Sequence, residues 1–158
     1  MDCVFCKIVL GEIPSHKIWE DERHIAILSI FPNTPGFTVV LTKEHKPSYV
    51  FDNDDKTLVD LVLATKKVAK LLDASFEDVD RTGMFFEGLG VDHLHSKLSP
   101  MHGTGDMGKW KPLISKTEKT FFEKYPGYLS SHDAEKADDK ELAKIAQQIQ
   151  STAQKSNI

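Results

Sequence analysis

For its first hundred residues the chain alternates between short apolar runs and polar breaks, and then loses that rhythm. Residues 3–10 are apolar apart from Lys7 and stop at Gly11, which predicts a short helix with a C-terminal stop. Residues 17–21 and 25–30 are two strand-like runs separated by Glu22 and Arg23, the pattern of a hairpin. The turn-forming series Pro32, Asn33, Thr34, Pro35, Gly36 leads into residues 37–42, a third strand rich in β-branched side chains. Residues 52–55 offer aspartate caps for a helix over 56–73. Within it Leu58, Leu61, Val62, Thr65, Ala69 and Leu72 recur at helical spacing, while Lys66, Lys67 and Lys70 lie off that stripe.

A short strand follows at residues 84–86, and Gly88-Leu89-Gly90 bends the chain into another that carries His93 and His95. Residues 111–137 show mixed polarity and weak periodicity and are expected to form an irregular excursion. Asp138 and Asp139 then cap a last helix over 138–155, with Leu142, Ile145, Ala146 and Ile149 on one face. Strands grouped around one central helix favour an α+β fold with an antiparallel sheet over a βαβ array. A chain of 158 residues can bury one proper core, so residues 1–158 are expected to form a single domain, with its core over about 2–110.

Composition narrows the partners. The net charge of −4 gives no global basic field, so neither nucleic acid nor an anionic membrane is expected as a partner. No apolar run approaches the ~20 residues of a membrane span. The N-terminus lacks the basic-then-apolar pattern of a signal peptide, and the only cysteines are Cys3 and Cys6. Together these point to a reducing, cytoplasmic setting.

The chemistry gathers in the run Asp92-His93-Leu94-His95-Ser96-Lys97. Residues two apart in a strand share a face, so His93, His95 and Lys97 are expected on one side. Two imidazoles and an ammonium make a poor core and a good surface for an anion. A neutral imidazole, with an ordinary pKa of ~6.5, is a competent nucleophile when an acceptor holds its second ring nitrogen. Cys3 and Cys6 have the spacing of a metal clamp or a redox pair. A redox pair should follow a strand, and none precedes Cys3. A zinc site needs two more ligands, for which His45 and His93 are available, and spacing alone leaves zinc and two inert thiols as equal alternatives. The Gly88 to Gly90 bend and a glycine-rich loop over 103–108 flank the histidine strand. Backbone amides there can cradle phosphate, although neither matches a P-loop or a dinucleotide fingerprint. Trp19, Phe5, Phe31 and Phe37 are expected in the core, with one or two of them lining a base pocket.

Several blocks in register resemble the histidine triad (HIT) superfamily. His93-Leu94-His95-Ser96-Lys97-Leu98 is similar to its motif of three histidines alternating with apolar residues. Residues 2–14, which include both cysteines, look like the N-terminal segment of bacterial members. Residues 31–45 are similar to the family's strand-turn-strand ending in Pro-Lys-x-His. The resemblance implies an antiparallel α+β fold with a central helix and a C-terminal helix, commonly paired as a homodimer. It implies a nucleotide-binding hydrolase or nucleotidyltransferase acting at the α-phosphate through a covalent nucleotidyl-histidine. His95 would be the nucleophile, with its second nitrogen donating to the His93 carbonyl. It also implies a structural zinc held by Cys3, Cys6, His45 and His93. On this reading Phe5, Ile30 and Phe31 hold the base, while the amides of Gly88 and Gly90, with Lys97 and Ser99, hold the phosphate.

The chain departs from the pattern at four places. Lys97 replaces the third histidine, Ser29 a ribose-binding Asp, Leu89 a phosphate-contacting Gln, and Phe37 a His. Lys97 retains a positive group but is ordinarily a poor proton donor at neutral pH, and His102 is a candidate for that missing donor. The alternative is a sensor or regulatory module that binds nucleotides without turning them over.

Overall fold

The computed structural model describes residues 2–106, 108 and 136–156. The predicted hairpin forms because Asp21 accepts the backbone N–H groups of Arg23 and His24, closing a tight turn. That turn joins β1 (Lys17–Glu20) to β2 (His24–Leu28). The Pro-Asn-Thr-Pro-Gly turn leads to β3 (Thr38–Thr42), paired antiparallel to β2 along its whole length. A 3-10 turn (Val50–Asp52) precedes the central helix. That helix, α2 (Asp55–Ser75), is capped by Asp54, whose carboxylate accepts from the Thr57 N–H. Then come β4 (Thr82–Phe85), β5 (His95–Pro100) and the last helix, α3 (Asp139–Ser156). The short N-terminal helix is α1 (Val4–Val9). The five strands form one antiparallel sheet in the order β1-β2-β3-β5-β4.

The two faces of the sheet are dressed differently. One face buries Ala26, Val40 and Leu98 against Leu61, Val68, Leu71 and Leu72 of α2 and against Leu142, Ala146 and Ile149 of α3. Thr65 of α2 sits in this layer and meets Ser96 of β5, their hydroxyl oxygens 2.7 Å apart. The other face carries a smaller apolar layer of Ile25, Ile27, Val39 and Leu41, covered by Phe5, Ile8 and Val9 from α1. Alternation along β5 sends Ser96 and Leu98 to the helical face and leaves His95 and Lys97 on the α1 face.

Two strand boundaries differ from expectation. The fourth strand starts at Thr82 rather than residue 84, because Thr82 and Gly83 find ladder partners in Pro100 and Ser99. The histidine strand starts at His95: His93 precedes it in a bend, where its N–H bonds to the Val91 carbonyl. His93 therefore does not share a strand face with His95 and Lys97. The irregular excursion expected over 111–137 lies outside the described residues as far as 135. Ala137 is described, and its N–H bonds to the Ile30 carbonyl. Phe37 is buried, and Trp19 packs at the edge of the main core.

Candidate functional site

The bend at His93 does three things at once. Its ring Nε2 lies 2.7 Å from the Thr42 carbonyl oxygen, which can only accept, so Nε2 carries the proton. That leaves the Nδ1 lone pair facing the thiols of Cys3 and Cys6, each 3.5 Å away. Its own carbonyl turns the other way and accepts from His95 Nδ1 at 2.7 Å. His93 is fully buried, and burial, together with the charge of His45, holds its imidazole below the ordinary range; the Thr42 carbonyl acts against that.

Cys3 enters as the N-cap of α1 and Cys6 lies one turn later, which turns both sulfurs toward His93. His45 arrives from the segment after β3, its Nδ1 3.5 Å from Cys6 Sγ and its ring edge-on to His93 at 5.2 Å. The four ligand atoms of Cys3, Cys6, His45 and His93 lie within 4.8 Å of one another. Burial and then the adjacent Cys3 thiol push the Cys6 thiol up. Two thiols and two imidazole nitrogens converging in this way suit a tetrahedral zinc ion, whose binding holds thiols as thiolates. The Nε2–H bond from His93 to a main-chain carbonyl is the outer contact that orients a metal-bound imidazole.

His95 opens β5 on the α1 face. With Nδ1 donating to the His93 carbonyl, its neutral ring places the lone pair on Nε2. Burial first, and then the ammonium of Lys97, keep this imidazole below its ordinary range and so neutral near pH 7; the His93 carbonyl pulls the other way. The ring is only 3% exposed, yet it lines a cavity of about 380 Å³. Phe5 stands edge-on to it at 5.4 Å. The cavity wall is mostly apolar, with Phe5, Ile8, Ile27, Ile30, Phe31 and Val39, and it is closed at one side by Leu89 and Gly90. Ser15, Ser29, His95 and Lys97 supply its side-chain polar groups among the described residues.

Of the residues expected at the phosphate and base, Phe5, Ile30, Phe31, Gly90 and Lys97 line this cavity with His95. Gly88, Ser99 and His102 do not. Gly88 packs on the Ser48–Tyr49 backbone, and its carbonyl accepts from Ser48 Oγ at 3.0 Å. Ser99 is one step farther along the site face of β5, opposite Gly83. His102 is tied elsewhere: Nδ1 meets the Asp78 carboxylate at 2.9 Å, Nε2 meets the Pro35 carbonyl at 3.1 Å, and its ring stands against Phe76. With one nitrogen committed to Asp78 after α2 and the other to Pro35 in the turn before β3, and with no place in the cavity lining, it is not placed to donate a proton there. The Ser29 hydroxyl accepts from the Phe31 N–H. One residue escaped sequence reasoning: Glu87, whose Oε2 lies 2.9 Å from Lys97 Nζ. It is ten positions away in a segment with no motif, and only the β4–β5 pairing brings it close.

A sequence model of the HIT domain matches residues 10–102. A protein named Protein hit from Bacillus subtilis is 34% identical over 109 residues, covering 66% of this chain and 74% of the relative. An adenosine 5'-monophosphoramidase from Schizosaccharomyces pombe is 33% identical over 100 residues, covering 63% and 74% respectively. Among solved structures, a zinc-bound histidine triad family protein from Mycobacterium smegmatis superimposes with a TM-score of 0.69. That match covers 99% of this chain and 96% of the other at 21% identity, a likeness of fold.

Proposed function

The chain belongs to the HIT family, and from that premise we propose that it is a nucleotide hydrolase or nucleotidyltransferase with His95 as its nucleophile. The observation that carries this reading is the 2.7 Å bond from His95 Nδ1 to the His93 carbonyl, in a ring that lines the cavity. It supplies a lone pair on Nε2 without a separate base. The apolar wall of Phe5, Ile30 and Phe31 takes the base, and Lys97 with the amide of Gly90 faces the phosphate. Nε2 attacks the α-phosphorus in line, an N–P bond forms, and the bond to the leaving group breaks. Water or an acceptor then attacks phosphorus, and the N–P electron pair returns to Nε2.

Cys3, Cys6, His45 and His93 would hold a zinc ion. With four protein ligands it supplies fold stability and leaves no position for substrate. The protein is further read as one cytoplasmic domain that pairs as a homodimer. Val59, Val62 and Leu63 stand exposed on α2, and β4 is an edge among the described strands. Among the described residues no helix is long and apolar enough to cross a membrane.

The test uses the full chain, brief incubation with adenosine 5'-monophosphoramidate or diadenosine triphosphate, an alkaline quench and intact-mass measurement. A gain of one AMP, absent from His95→Ala, supports the reading. Unchanged turnover in His95→Ala refutes the nucleophile. Saturable binding with neither adduct nor turnover makes the protein a nucleotide-binding module instead.

A further inference from the structure

Where the family pattern has a third histidine, this chain has Lys97, and the structure adds a partner that the pattern does not contain. Lys97 Nζ and Glu87 Oε2 are 2.9 Å apart, with side chains 17% and 9% exposed. Glu87 is held from both sides. Before it, Phe85 pairs with Lys97 in the ladder and Phe86 packs against the main core, so the extended chain returns Glu87 to the face of Lys97. After it, Gly88 is clamped to Ser48 at a φ of +68°. The ammonium thus has a fixed address beside His95, on the wall of the same cavity.

A histidine at this place can hand a proton to a departing amine, because an imidazole ordinarily titrates near pH ~6.5. A lysine side chain is ordinarily an ammonium at neutral pH and a poor proton donor there. His102, the other candidate donor, is committed to Asp78 and Pro35. Among the described residues the cavity therefore offers the leaving group a charge and no readily released proton.

We propose that Lys97, positioned by Glu87, is a fixed cationic clamp for leaving groups that depart as oxyanions, so that the site cleaves nucleotide anhydrides in preference to nucleotide phosphoramidates. This inference rests on His95 being the nucleophile. In the first step Nε2 of His95 bonds to the α-phosphorus, and the P–O bond to the leaving phosphate breaks with its electron pair on oxygen. That oxygen needs no proton, and the ammonium offsets its negative charge. In the second step water attacks phosphorus, the N–P pair returns to His95, and the water proton passes to solvent. An amine leaving group would have to depart as an amide anion or find a proton that these residues do not supply.

The experiment compares kcat/KM for diadenosine triphosphate and adenosine 5'-monophosphoramidate on the full chain. The wild-type protein should prefer the anhydride by about 100-fold, the scale on which a single well-placed electrostatic contact acts. Lys97→Met should erase most of that preference by slowing the anhydride alone. Lys97→His should raise phosphoramidate cleavage by about 10-fold or more, within the range of general-acid assistance. Glu87→Ala should lower anhydride kcat by about 10-fold with KM nearly constant, and Glu87→Asp should restore part of it. Equal rates on the two wild-type substrates, or a phosphoramidate preference, together with an AMP adduct on His95, would overturn the clamp and leave the nucleophile standing. No cleavage of either probe and no adduct would overturn both. The wild-type ratio needs no variant, so a misfolded Lys97→Met cannot spare the proposal. An equal loss on both substrates in a folded Lys97→Met also overturns it.

Discussion

Between His95 and Lys97, Ser96 turns its hydroxyl to the opposite face and anchors β5 to α2, and the direction of that bond can be read from its surroundings. Thr65 and Ser96 are fully buried, and their hydroxyl oxygens are 2.7 Å apart. Thr65 Oγ1 also lies 2.7 Å from the Leu61 carbonyl, which can only accept. Thr65 has one hydroxyl proton, and it goes to Leu61. Ser96 must then be the donor in the cross-element bond. Thr65→Val keeps the side-chain shape and opens no cavity, yet it strands a buried Ser96 O–H with no acceptor. An orphaned buried polar group costs about 1–3 kcal/mol. Ser96→Ala leaves Thr65 still donating to Leu61 and removes only a net bond of about 1 kcal/mol or less. Removing both should recover part of the Thr65→Val loss, giving a coupling of about 1 kcal/mol between the pair. Urea unfolding at constant m is the assay, with a matching fall in Tm of about 2–4 °C per kcal/mol for a chain of this size. If Ser96→Ala costs as much as Thr65→Val, or if the double variant is simply additive, the assigned direction is wrong.

Purified protein should carry about one zinc per chain by elemental analysis, and Cys6→Ser should lose most of it together with several kcal/mol of stability, since four protein donors converge on one point. The pH–rate profile for adduct formation should keep its activity down to a pH below ~6.5, because burial and then Lys97 lower the His95 imidazole and keep Nε2 unprotonated in that range. The same shift makes the unfolded chain take up a proton that the native ring refuses as pH falls through ~6.5. This site's contribution is therefore fully present above that pH and declines below it, as pH-dependent urea midpoints would register. Gly88→Ala should destabilise by about 1–3 kcal/mol, because its φ is +68° and an added Cβ would sit 3.0 Å from the Ser48 carbonyl oxygen; an unchanged midpoint would contradict this.

Much of the fold was legible because it is written in periodicity. Of the stripe Leu58, Leu61, Val62, Thr65, Ala69 and Leu72, the residues Leu61, Thr65 and Leu72 are buried in α2 while Val62 stands exposed, and the β-branched run 38–42 lies at the centre of the sheet. Spacing alone left zinc and inert thiols even; the family resemblance named Cys3, Cys6, His45 and His93, whose ligand atoms the fold brings within 4.8 Å of one another, the bend at His93 turning its ring toward both sulfurs. That same bend is why the shared strand face expected for His93 failed. Alternation assumes an extended chain, and the His93 N–H instead closes a turn on Val91. His102 was misplaced because proximity in sequence to Pro100 says nothing of Asp78, which is supplied by the loop after α2. Glu87 was missed for the complementary reason, since cross-strand register and a glycine clamp position it and neither has a local signature.

The site is best understood through the single residue that faces both of its halves. The ring of His93 belongs to the cysteine cluster, and its carbonyl accepts from His95, the proposed nucleophile. A peptide carbonyl cannot move without its own Cα, so whatever holds the ring also sets where the His95 Nδ1–H must point. Thr42 holds one side of that ring through its carbonyl, and Cys3 and Cys6 face the other. The tautomer that frees Nε2 of His95 thus depends on contacts from α1 and β3, neither of which carries His95 itself. Disturbing the cysteine cluster should cost nucleophilicity as well as stability, although no cysteine faces the substrate cavity.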